Sequence, residues 1–118
     1  MYELLQKLIA FKYSCKINHW KTNDYSLHLL FDRLGEDIDT WVDEIAEQYF
    51  MATDDKNVFK SSLLNPKFVR VDLYKFCLDI INDIEKLVKK HDINEGMISL
   101  LTDIESGFLN KLALVKLK

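Results

Sequence analysis

Glycine and proline are scarce: three glycines and one proline in 118 residues. Turns and sheet bends consume both, so their scarcity argues against many short strands and favours a few long helices. Cysteine is also rare, and Cys15 and Cys77 are too few for a disulfide-dense secreted scaffold. Both sit inside apolar helical patterns and read as reduced core residues of a cytoplasmic protein. No apolar run approaches membrane-spanning length, so no membrane partner is expected. The opening Met1-Tyr2-Glu3-Leu4-Leu5-Gln6-Lys7 is amphipathic and has no signal-peptide pattern. An excess of cations is missing too. Lysine and arginine number 16 against 19 acids, for a net charge of -3. Nucleic-acid binders usually carry a basic excess, so duplex DNA is not an expected partner.

What is present is helical periodicity. Hydrophobic residues make up 48% of the chain, enough for one real core, and residues 1–118 read as a single domain. A first helix is predicted over 2–21. Leu4, Leu8, Phe11, Cys15 and His19 share one face, and Tyr2, Ile9, Tyr13, Ile17 and Trp20 form a second apolar stripe. One core consumes one stripe, so the second is expected to meet another subunit or stay partly exposed. After Lys21-Thr22-Asn23-Asp24, with Asn23 or Asp24 as cap, a second helix is predicted over about 25–50. Its apolar stripe runs from Leu27 to Tyr49, opposite His28, Asp32, Glu36, Asp39, Asp43 and Glu47. Asn65-Pro66 reads as a helix start, giving a third helix over about 66–90. The fourth is predicted over about 95–117.

The connections constrain topology. A second helix of about 25 residues is roughly 37 Å long. The segment 51–65 can stretch to roughly 50 Å, enough to cross it end to end. Short, long, short connections fit an all-α, ferritin-like four-helix bundle with a long crossover between helices 2 and 3.

The chemistry lies on helix 2. His28 and Asp32 are four residues apart, as are Asp43 and Glu47, so each pair occupies adjacent turns of one face. Carboxylate oxygen and imidazole both suit iron. The pairs are offset by eleven residues, roughly 16 Å along the axis, so they cannot hold one ion within one straight helix. A two-fold axis pairing helix 2 with its copy would bring one pair to the other. The plainer reading is that such an acidic row is a solvated face. His19 weighs against it, because a histidine on a core-like stripe needs a polar partner, whether a ligand, a carboxylate or backbone.

From His19-Trp20 through His28-Leu29-Leu30-Phe31-Asp32 to Asp43-Glu44-Ile45-Ala46-Glu47 the chain resembles the ferroxidase signature of the Dps proteins, the mini-ferritins named for DNA protection in starved cells. Residues 19–47 carry the specific part, and the last helix is more loosely similar. The resemblance implies a ferritin-like bundle with its site at a two-fold interface. His19, His28 and Asp32 would come from one chain, and Asp43 and Glu47 from its mate. It also implies oxidation of Fe²⁺, typically by hydrogen peroxide, and storage of Fe³⁺ in a homo-oligomer that is at least a dimer and, in the family, a dodecamer. The link from His19 to His28 is about three residues shorter than the family's, and a lysine-rich N-terminal tail is lacking. The paired Glu-x-x-His motifs of ordinary ferritins are absent, since Phe108 stands three after Glu105. A non-catalytic helical assembly protein and a DNA-protecting protein are the competing readings.

Overall fold

In the computed structural model residues 1–53, 72–90 and 93–116 are described. Among them there are four helices and no strands: α1 Tyr2–Lys21, α2 Tyr25–Thr53, α3 Leu73–Val88 and α4 Glu95–Lys116. The chain divides into two compact units, Met1–Arg70 and Val71–Lys118. In the first α1 packs on α2, and in the second α3 packs on α4.

The first unit is a tight hairpin. Thr22 leaves helical geometry with an extended backbone, while its N–H still bonds to the Asn18 carbonyl. Asp24 then caps α2, its Oδ1 accepting from the Ser26 N–H at 2.9 Å and the Leu27 N–H at 3.3 Å. Two otherwise orphaned donors are thereby satisfied. Leu4, Leu8, Phe11 and Cys15 are buried along α1, as the first apolar stripe requires, and Leu30, Phe31, Leu34, Ile38 and Ile45 along α2. Leu5 and Ser14 join them. Buried Ser14 is tolerated because its hydroxyl donates to the Ala10 carbonyl at 3.1 Å. Gly35 faces Cys15 across the hairpin, where an added Cβ would make ordinary van der Waals contact, 3.6 Å from the Cys15 Cβ.

The second unit uses the same devices. Asn94 caps α4 through a 2.8 Å bond from the Met97 N–H. Ile80, Ile84, Leu101, Ile104 and Phe108 are fully buried. The start of α3 corrects the sequence reading. The helix predicted over about 66–90 is not continuous through Asp72, which is extended (φ -77, ψ 109) and caps α3 by accepting from the Lys75 N–H. A capping aspartate competes with the helical backbone for its own donors, and that local chemistry overrides the apolar period. Asn65-Pro66 and His91 lie outside the described residues.

Candidate functional site

The three-residue link between α1 and α2 brings the last turn of one helix beside the first turn of the other. His19 and His28 meet there. Their rings stack with centroids 3.7 Å apart and planes 23° from parallel. The His19 Nδ1 lies 2.7 Å from the His28 carbonyl oxygen, and the His28 Nδ1 lies 2.7 Å from the His19 carbonyl oxygen. A carbonyl oxygen only accepts, so both Nδ1 atoms must donate. In the neutral rings both Nε2 atoms therefore carry the lone pair. Metal-binding histidines are commonly oriented in this way, with one ring nitrogen anchored to backbone and the other left to ligate. The same pair of bonds also staples the hairpin, since the His19 carbonyl belongs to the unpaired set at the end of α1. Each bond contributes about 1 kcal/mol to the hairpin whether or not a ligand binds.

Around this clasp the site is aromatic on one side and charged on the other. Tyr25 stacks on His28 at 6.4 Å. A groove of about 370 Å³ opens between the helices, lined on α1 by Lys12, Lys16, His19 and Trp20 and on α2 by residues including Asp32, Glu36 and Asp39. Lys12 crosses it to pair with Asp39, and Lys16 lies 5.8 Å over the Trp20 ring. His19 and Asp32 therefore share a groove, with His28 stacked against His19.

Asp43 and Glu47 are exposed further along α2, roughly 16 Å and 22 Å from Asp32 by helix rise. Within one chain they are not brought to the histidines. Among the described residues no group of three or more His, Cys, Asp or Glu side chains is placed to hold a metal ion. Sequence reasoning found the five candidate ligands, but it missed the ring stack, Tyr25 and the Lys12–Asp39 crossing. The available signal was the short turn itself, because residues flanking a three-residue hairpin link are forced into proximity.

The chain belongs to a family of unknown function, DUF5856, which it matches over residues 19–113. That span begins at His19 and takes in every candidate ligand. No curated protein and no solved structure gives a significant match.

Proposed function

We propose that this member of the family is a Dps-like iron-binding protein that oxidises Fe²⁺ and stores Fe³⁺. His19, His28 and Asp32 of one chain form half of the site, and Asp43 and Glu47 of a second chain complete it. The observation that carries the reading is the reciprocal anchoring of His19 and His28 through Nδ1, which in the neutral rings leaves the lone pair on Nε2; His19 also shares its groove with the exposed Asp32. The link that is short by comparison with the mini-ferritins does not separate the two rings, which stand 3.7 Å apart. Carboxylate ligands favour Fe³⁺ over Fe²⁺, because the harder, more highly charged ion gains more from anionic oxygen. With hydrogen peroxide as oxidant, two Fe²⁺ ions each give one electron, the O–O bond breaks and two protons complete two waters. The proposal includes the ferritin-like crossover. Residues 54–72 join α2 to α3 and can extend to roughly 65 Å, beyond the roughly 44 Å of α2.

The test is anaerobic Fe²⁺ binding by calorimetry, followed by peroxide addition with ferric absorbance as the readout. Asp43→Asn and Glu47→Gln are each expected to slow oxidation by about tenfold or more, the scale of losing support at a metal site, with the helical signal kept. Glu44→Gln, on another side of α2, is expected to oxidise iron like the parent. Equal rates in all three variants would sink the ferroxidase reading. The histidine clasp would then be a hairpin staple in a non-catalytic helical assembly protein.

A further inference from the structure

Two lysines of α1 face the carboxylates of α2, and they behave differently. Lys12 crosses the groove and pairs with Asp39. Lys16, one turn further on, lines the same groove with Asp32 and Glu36. Among the described residues it pairs with neither, and its ammonium lies 5.8 Å over the Trp20 ring instead. Trp20 stands four residues after Lys16, so the two share one face of α1, and a helical side chain leans back over the turn before it. The contact is therefore built within α1 and needs nothing from α2. Trp20 is 67% exposed, so burial in a core does not account for its place. Lys12 is equally far from the Tyr13 ring, at 5.8 Å. Tyrosine attracts a cation less than tryptophan does, and at that position the carboxylate holds the ammonium.

We infer that Trp20 is a positioning residue: its ring holds the Lys16 ammonium off Asp32 and Glu36, and so leaves their negative charge to a divalent cation. An ammonium paired with either carboxylate would cancel part of the charge that attracts the cation and would occupy the oxygens it needs. Lys12 shows that a lysine of α1 is long enough to reach an α2 carboxylate across this groove. Without the indole, Lys16 has two carboxylates in the same groove to turn to. The inference rests on the iron reading above only for the identity of the cation, Fe²⁺ at Asp32. The holding of Lys16 follows from the contact itself.

The experiment is anaerobic titration of Fe²⁺ into the whole chain, followed by calorimetry, with circular dichroism to check that each variant stays helical. Trp20→Leu is expected to bind Fe²⁺ about two- to fivefold more weakly, the equivalent in affinity of one exposed cation–π contact. Trp20→Phe should fall between the two, because a phenyl ring is the weaker acceptor. Lys16→Met removes the competing cation and is expected to bind at least as tightly as the parent. Added to Trp20→Leu it should restore parental affinity, a rescue that lost packing would not give. A crystal structure of metal-free Trp20→Leu is expected to place the Lys16 Nζ within about 4 Å of an Asp32 or Glu36 oxygen, the reach of an ion pair. Trp20→Leu binding Fe²⁺ like the parent overturns the inference, as does a double variant as weak as Trp20→Leu or a Lys16 that stays off both carboxylates. If the parent takes up no Fe²⁺ while Lys16 moves onto a carboxylate in Trp20→Leu, the iron reading falls and the role of Trp20 in holding Lys16 stands.

Discussion

The His19–His28 clasp has to be weighed atom by atom. Backbone carbonyls accept from both Nδ1 atoms, so the tautomer is set by the fold before any ligand arrives. Cys77 shows the opposite use of burial. It is fully enclosed, and desolvation pushes its thiol from 9.0 up to about 12. In the folded protein the thiol stays protonated where the unfolded chain would already ionise. Its contribution is therefore fully present below pH 9 and is lost as pH rises toward 12. Cys77→Ala is expected to cost about 1–2 kcal/mol near neutral pH through the lost packing. By about pH 10 the gap between parent and variant should shrink by about 1 kcal/mol, because only the parent has a thiol to ionise on unfolding. Urea unfolding at the two pH values measures this, and a gap independent of pH would remove the argument.

At the scale of the element, caps decide where helices begin. Asp24, Asp72 and Asn94 each accept from a first-turn N–H, and each stands immediately before the first helical residue. Asp24 has most at stake, because the α2 start it fixes positions His28 one turn later. Asp24→Ala is expected to lower stability by about 1 kcal/mol, read as a lower melting temperature. Asn23→Ala, at an exposed neighbouring position, should change it by a few tenths of a kcal/mol at most. If the two substitutions cost the same, Asp24 is not acting as the cap. Helix α1 is the other informative element. Its buried stripe holds the hairpin together, and its second apolar stripe leaves Tyr13 and Trp20 exposed.

At the scale of the whole molecule, charge is the controlling quantity. A net charge of -3 hides a basic α1 and an acidic α2. Among the described residues no helix is long and apolar enough to cross a membrane. Duplex DNA is a polyanion whose affinity for a protein comes largely from counterions released by lysine and arginine. Here the lysines of α1 lie beside the carboxylates of α2, as in the Lys12–Asp39 pair. No sequence-independent binding to duplex DNA is expected at submicromolar protein and physiological salt. A gel shift under those conditions would contradict this and would favour the DNA-protecting alternative.

The sequence by itself determined the helices and their faces. Periodicity of 3.6 residues is a local property of the backbone, so Leu8, Phe11 and Cys15 on α1 and Leu34, Ile38 and Ile45 on α2 could be assigned to the core from spacing alone. The exposed carboxylate row of α2 was legible for the same reason. The start of α3 was not, because Asn65-Pro66 carries a helix-start signal of its own, whereas α3 begins only after the capping Asp72. Tertiary structure alone decided that His19 and His28 stack and exchange hydrogen bonds. Nine positions and a turn separate them, and their meeting depends on rotamers and on how α1 packs against α2. Helical spacing fixes what one helix presents, whereas a ring stack between two helices requires the angle and distance of both, and these exist only once the hairpin has packed.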